Sequence, residues 1–156
     1  MSINLLADIF KRKRALQIPE QIARKFSDES VCRQCGQCCY SSVLYEDRLV
    51  IIPELPCKYL VKKSDTVAVC AIYPNRHQLV KWCNPVNQST VAKGLFPDDC
   101  PYVKDIPGYV GKTQMGDSGK KEFYMTLRRT FPNQMRPEYI SESDWDKFLL
   151  KLKNLT

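Results

Sequence analysis

The stretch VCRQCGQCCY, residues 31–40, places four cysteines within eight positions. The first three are each separated by two residues, and the last two are adjacent. Two intervening residues form a loop in which both thiolates face one metal ion while backbone N–H groups point toward sulfur and offset its charge. Gly36 lies where so tight a loop needs a positive φ. The predicted ligands here are Cys32, Cys35, Cys38 and Cys39.

The rest of the chain favours metal binding over disulfide bonding. A chain of 156 residues buries roughly 70% of its unfolded surface, so it needs no disulfides to compensate for a small core. The longest apolar run, VAVCAIY, is far shorter than the roughly 20 residues of a membrane-spanning helix. At the amino terminus apolar residues precede the basic run KRKR, the reverse of a secretory signal. We therefore expect a cytoplasmic protein without membrane contact, and disfavour a secreted, disulfide-rich domain.

The spacing of the first three cysteines leaves the identity of the metal open. Three cysteines in a C-x2-C-x2-C run resemble the way one face of a [4Fe–4S] cluster is held. Cys100 precedes Pro101, as the cysteine that closes such a run does in bacterial ferredoxins. An iron–sulfur cluster is therefore the predicted cofactor. One zinc ion in a cage of thiolates fits the same residues and is the alternative.

Adjacent cysteines raise the question of how many sites there are. In extended backbone Cys38 and Cys39 point to opposite faces, so each could serve a different site unless the chain bends sharply. Cys57, Cys70 and Cys83, with twelve residues between neighbours, would complete a second group of four. One cluster with structural cysteines left over is the alternative, and Cys70, inside an apolar strand, is then the first candidate for a core residue. The predicted metal ligands are Cys32, Cys35, Cys38, Cys39, Cys57, Cys70, Cys83 and Cys100.

These cysteines and their neighbours carry a family resemblance. The run CRQCGQCC, followed by CKYL, VCAIYPNR and KWC, resembles the YkgJ-type family of CxxCxxCC zinc- or iron-chelating proteins over about a third of the chain. The resemblance implies metal chelation and an iron–sulfur oxidoreductase. His77 stands where the family often has proline, and Asn84 where it often has arginine. The remaining matched residues are Cys32, Cys35, Cys38, Cys39, Cys57, Cys70, Ile72, Tyr73, Arg76 and Cys83.

Other chemistries find little support in the sequence. The CxxCxxCC motif also resembles a segment of flagellin lysine-N-methylases, but the chain has no glycine-rich nucleotide loop and methyl transfer is rejected. His77 is the single histidine and is interpreted as a surface residue. Asp98 and Asp99 are adjacent and are interpreted as solvated loop acids. Arg76 is expected to pair with a carboxylate rather than with sulfur. No catalytic residue is assigned.

The net charge of +7 does not by itself indicate a nucleic-acid partner. The 24 basic and 17 acidic residues are spread along the chain, and KRKR is interpreted as a solvated helix end. Four thiolates around a divalent metal leave a charge near −2, so two such sites would lower the formal charge to roughly +3. Another protein is the expected partner, nucleic acid is disfavoured, and no oligomeric state is predicted.

The pattern of apolar residues predicts a single α+β domain over residues 1–156, with short helices around a small antiparallel sheet and a cysteine-rich metal centre. Helices are expected within residues 1–30, where apolar residues recur at helical spacing, and over 141–155. SSVLY and RLVIIPEL form a hairpin, TVAVCAIY is a further strand and NQSTVAKG a short helix. Residues 32–100 form the metal-binding region. Trp145, Phe148, Leu149 and Leu152 make a core-facing stripe.

The predicted function is that of a cytoplasmic cysteine-cluster metalloprotein. Its iron–sulfur cluster would transfer electrons or take part in metal or cluster handling, as an oxidoreductase or as an accessory protein. The alternative is an interaction module in which zinc holds the loops together and which supports a larger enzyme complex or binds nucleic acid.

Overall fold

The computed structural model describes residues 16–156 and shows an α+β protein. Short helices surround two antiparallel sheets of two strands each, where the sequence predicts one sheet. The helices are α1 (Glu20–Ala23), α2 (Arg76–Leu79), α3 (Gln88–Ala92), α4 (Lys120–Thr130) and α5 (Glu142–Lys153). The strands are β1 (Tyr40–Tyr45), β2 (Arg48–Pro56), β3 (Leu60–Lys62) and β4 (Ala68–Cys70). Single 3-10 turns cover Arg24–Ser27, Glu29–Val31, Gln37–Cys39, Tyr73–Asn75, Asp117–Gly119 and Phe131–Asn133.

The predicted hairpin is confirmed as β1 and β2. Glu46 and Asp47 form its two-residue turn with φ of 48° and 68°. Positive φ at both positions is the requirement of a type I′ turn, whose twist matches that of the flanking strands. The pairing is irregular between Tyr40 and Ser42, so β1 departs there from a regular ladder at the end nearest the cysteines.

The second sheet differs from its prediction. The strand expected over TVAVCAIY is only three residues long, β4, and it pairs with β3, which the sequence pattern does not predict. Both strands are too short for a period of two to stand out from chance. The sheet instead depends on its surroundings, since the Ala68 N–H, at the start of β4, donates to the carbonyl of Gln34 in the cysteine loop at 2.8 Å.

The larger core packs α4 and α5 against β2. The predicted stripe of α5 is confirmed, because Trp145, Phe148 and Leu152 are buried and Leu149 packs at the edge. Helix α4 is not among the elements that the sequence predicts. Its buried positions are only Phe123, Tyr124 and Leu127, within a run rich in lysine and arginine, and this narrow stripe hides the helical period.

A smaller core lies beneath the cysteine loops. Ile22 and Phe26, from the region 1–30 in which helices are predicted, pack on a cluster that contains Cys100 and Val103. Pro19 precedes α1 as its N-cap residue rather than occupying its first turn. The earlier helix expected around Ile3, Leu6, Ile9 and Phe10 lies outside the described residues. Within residues 16–156, no helix is long and apolar enough to cross a bilayer.

We predict that Ser141→Ala lowers the free energy of unfolding by about 1 kcal/mol. The Ser141 side chain accepts a hydrogen bond from the Asp144 N–H at 3.1 Å and so caps α5, and alanine leaves that N–H without its partner. Chemical denaturation measures the difference. Ser143→Ala is the matched control, because Ser143 is exposed within the helix, and it should change stability by less than about 0.5 kcal/mol.

Candidate metal centre

The cysteine loop is shaped by a left-handed turn at Gly36. Its φ of 72° confirms the predicted positive value, and Gln34 also has a positive φ of 57°. A Cβ placed on Gly36 would lie 2.8 Å from the Cβ of Ala68, closer than two carbon atoms can pack. The loop therefore sits directly on β4, and glycine is required by both its backbone conformation and the lack of space.

Backbone N–H groups point toward sulfur in this loop, as the spacing predicts. The Gln34 N–H donates to the Cys32 sulfur at 3.4 Å. The 3-10 turn Gln37–Cys39 then supplies the sharp bend that adjacent cysteines need in order to face one another. The side chains of Cys38 and Cys39 are hydrogen-bonded to each other. This bond is the main reason why the pKa of Cys38 is lowered and the pKa of Cys39 is raised far above its usual range.

Five of the eight cysteines line one cavity of about 300 Å³. Cys38 and Cys39 come from the cysteine loop. The Cys57 N–H donates a hydrogen bond to the Cys39 carbonyl at 2.8 Å, and this bond holds the end of β2 beside the loop. All eight cysteines are free thiols. The cysteines of the cavity wall are Cys38, Cys39, Cys57, Cys70 and Cys83.

Electrostatic interactions join the thiols into two overlapping neighbourhoods. Burial raises the pKa of Cys100 to about 11, and the charges of Cys38, Cys35 and Cys32 add to that rise. Burial is also the main cause of the raised pKa of Cys32, and Cys38 and Cys35 again contribute. Cys100 thus lies within electrostatic reach of the C-x2-C-x2-C run that precedes it by more than sixty residues.

The second neighbourhood surrounds Cys39. The hydrogen bond with Cys38 and burial are the two largest causes of its raised pKa. The charges of Cys57 and Cys83 raise that pKa further. The pKa of Cys83 is raised, mainly by burial. The charge of Arg76 opposes this rise, and the charges of Cys38, Cys70 and Cys57 add to it. Cys39 and the three predicted later cysteines, Cys57, Cys70 and Cys83, are therefore neighbours in space. Among the described residues, however, no three Cys, His, Asp or Glu side chains are already arranged to hold a metal ion.

A buried lysine that sequence analysis missed lies beside the adjacent cysteines. Lys112 is 8% exposed, and its Nζ donates to the carbonyls of Tyr40 at 3.0 Å and Cys38 at 3.4 Å. Burial lowers its pKa, while Cys38 and Cys39 raise it. No carboxylate of the described part of the chain pairs with it. Its position between two glycine-rich turns carries no signal that distinguishes it from the other 23 basic residues.

Arg76 also lines the cavity. Its expected carboxylate partner is Glu29, at 3.7 Å, but its guanidinium stacks on the Tyr73 ring at 3.9 Å and donates to the Tyr73 carbonyl at 2.7 Å. Its charge contributes to lowering the pKa of Cys38. Arg76 therefore makes the predicted ion pair and also faces the thiols. His77 is exposed and lies outside the cavity wall.

Asp98 and Asp99 are exposed loop acids, as the sequence predicts, and each also pairs with an arginine. Asp99 pairs with Arg33 at 2.6 Å, and Arg33 also hydrogen-bonds the Cys35 side chain. Asp98 pairs with Arg48 of β2 and accepts a hydrogen bond from the Gly111 N–H at 2.7 Å. The two acids therefore connect the loop before Cys100 to the cysteine loop on one side and to the hairpin on the other.

Comparison with known proteins finds a relative that shows the family of this chain. No family model matches the chain, and no solved structure matches it. Uncharacterized protein MJ1479.1 of Methanocaldococcus jannaschii is 35% identical to it over 101 residues, which cover 64% of this chain and 68% of the archaeal protein. The chain belongs to the same family as that protein. The resemblance to YkgJ-type proteins stays a prediction.

We predict that Gly36→Ala lowers the free energy of unfolding by about 2 to 5 kcal/mol, because the left-handed conformation and the contact with Ala68 add their costs. Thermal or chemical denaturation measures it. Gly116→Ala is the matched control, since Gly116 has a φ of −69° and no atom within 4 Å of an added Cβ. Equal losses in the two variants would contradict the role given to Gly36.

Proposed function

We propose that this protein is a cysteine-cluster metalloprotein that binds iron–sulfur clusters, for electron transfer or for the handling of metal or clusters. The observation that carries the proposal is the cavity wall, where five free cysteines lie together with a buried lysine that has no carboxylate partner among the described residues. Such a wall suits an occupant with negative charge.

The charge of Lys112 supports a thiolate-bound metal. A buried ammonium group is costly unless a negative charge compensates it. Its two hydrogen-bond acceptors are neutral carbonyls. Four thiolates around a divalent metal or a doubly positive cluster carry a net charge near −2. Lys112 and Arg76 would offset part of that charge from the wall of the cavity.

The size of the cavity favours a cluster over a single ion. Zinc binds thiolate sulfur at about 2.3 Å, so four cysteines around one zinc ion close on it and leave little space between them. The cavity that five of the cysteines help to line has a volume of about 300 Å³. Several iron and sulfide ions would use that space, and metal loading would draw the sulfurs together around them. A bound cluster supplies one-electron transfer, and the role of the chain is to hold it and balance its charge.

The cysteine neighbourhoods support two groups of four. Cys38 is assigned to the first group because it acts on the pKa of Cys32 and Cys100, and Cys39 to the second because Cys57 and Cys83 act on its own; Cys38 also acts on Cys83, so the two groups adjoin. The first group is Cys32, Cys35, Cys38 and Cys100. The second group is Cys39, Cys57, Cys70 and Cys83.

We predict that protein purified anaerobically contains iron and acid-labile sulfide and absorbs near 400 nm. Metal analysis, sulfide assay and absorbance test this directly. His77→Ala is the control and should keep its full metal content, because His77 is exposed and outside the cavity. A colourless protein with zinc would favour the interaction module, and a protein without metal would contradict both functions.

We predict that Cys100→Ser and Cys57→Ser each remove about half of the bound iron, because each variant removes one ligand of one four-cysteine group. Iron per chain and the sulfide-to-iron ratio are the measurements, and the double variant should retain almost none. If one variant loses all of the iron and the other loses none, the protein has a single cluster with structural cysteines left over.

A further inference from the structure

Two polar atoms in the cavity wall lack the partners that buried polar groups require. Trp82 Nε1 and Ser41 Oγ are buried, and neither has a hydrogen-bond partner among the described residues. Both residues line the cysteine cavity. A third such atom, Arg48 Nε, belongs to a guanidinium that is already paired with Asp98 and lies outside the cavity. Unsatisfied buried donors are rare in folded proteins and need an explanation.

The position of Trp82 is held by its neighbours. Its ring stacks on Tyr59, with centroids 6.3 Å apart and planes within 5°, and tilts against Tyr139 at 6.2 Å. The Lys58 Nζ lies 5.5 Å from the ring centroid. A ring in contact with three side chains cannot swing its N–H into water at low cost. The indole N–H is a donor only, so its missing partner must be an acceptor.

Ser41 reaches the cavity because of the irregular pairing at the end of β1. Tyr40 pairs with Pro56 and Ser42 pairs with Ile51, so the residue between them lies where the register shifts. Irregularities of this kind re-aim side chains next to functional sites. The hydroxyl of Ser41 can donate or accept.

Trp82 and Ser41 share the cavity wall with five cysteines, whose sulfurs are possible acceptors for these two donors. A neutral thiol is a weak hydrogen-bond acceptor. Metal binding requires thiolates, and a thiolate is a much stronger acceptor because it is charged. Loading with metal would therefore create the partners that Trp82 and Ser41 lack.

We propose that Trp82 Nε1 and Ser41 Oγ are positioning donors that hydrogen-bond metal-bound cysteine sulfur in the cavity. The inference rests on the proposed metal-binding function and adds to it the residues that tune the metal. Donors to ligand sulfur strengthen metal binding, and they raise the reduction potential because they stabilise the more negative, reduced state. Trp82 lines the same cavity as Cys39, Cys57, Cys70 and Cys83, so its donor is assigned to the second cysteine group.

The test compares Trp82→Phe with Trp145→Phe, the same substitution at the other tryptophan of the chain. Trp145 is buried in the larger core, away from the cavity wall. Affinity for Zn²⁺, measured anaerobically by competition with a chelator, should fall about tenfold or more in W82F and change less than about twofold in W145F. In the iron-loaded protein the midpoint potential of W82F should fall by ~59 mV, a tenfold change in a one-electron equilibrium.

Each outcome bears on the proposal. W82F with the affinity and potential of the wild-type protein overturns it, as does an equal loss in W145F, which would mark a general effect of core damage. Ser41 provides a second line: S41A should weaken Zn²⁺ binding and S41T, which keeps the hydroxyl, should restore it. Equal binding by S41A and S41T overturns the role of Ser41. A wild-type protein that binds neither zinc nor iron overturns the metal-binding function and this inference together.

Discussion

The left-handed turn at Gly36 is the constraint on which the rest of the cysteine-rich half depends. With no Cβ at this position, the loop approaches β4 closely enough for the Gln34 carbonyl to accept from Ala68. That contact places the C-x2-C-x2-C run over the small sheet, whose strand β4 ends at Cys70. Any larger residue would separate loop and sheet, and the cysteines from the two parts of the chain would no longer share one cavity.

Charge balance is the second organising element of the site. Cations face the thiols, and three acids near the cysteine loops, Glu29, Asp98 and Asp99, are paired with arginines. Arg33 holds the pKa of Asp99 low and also contacts Cys35, so one ion pair links the loop before Cys100 to the first cysteines. Exposed ion pairs of this kind stabilise a fold little. Their contribution here is to set which loops are neighbours, and Lys112 adds a buried positive charge where the thiols meet.

The elements with strong local signals were predictable, and those that depend on partners were not. The β1–β2 hairpin, α3 with its stop at Gly94, and α5 with its cap at Ser141 follow from turn residues, alternation and capping. Strand β3 has no such signal, because three residues acquire strand geometry only from the neighbour they pair with. Helix α4 was missed because its three buried residues lie within a strongly basic segment. The pairing of Asp98 and Asp99 depends on arginines 50 and 66 residues away.

The sequence by itself determined the chemical groups of the site: the cysteine thiols, the tight spacing of the first three and the need for glycine between them. These follow from local geometry, since two residues between cysteines set the reach of the loop. Only the tertiary structure decided which distant residues join them. No local pattern distinguishes Lys112, Trp82 and Ser41 from other residues of their types, and they become part of the site because the fold places them against the same cavity. Burial and proximity depend on contacts between residues far apart in the chain, and no local pattern encodes them.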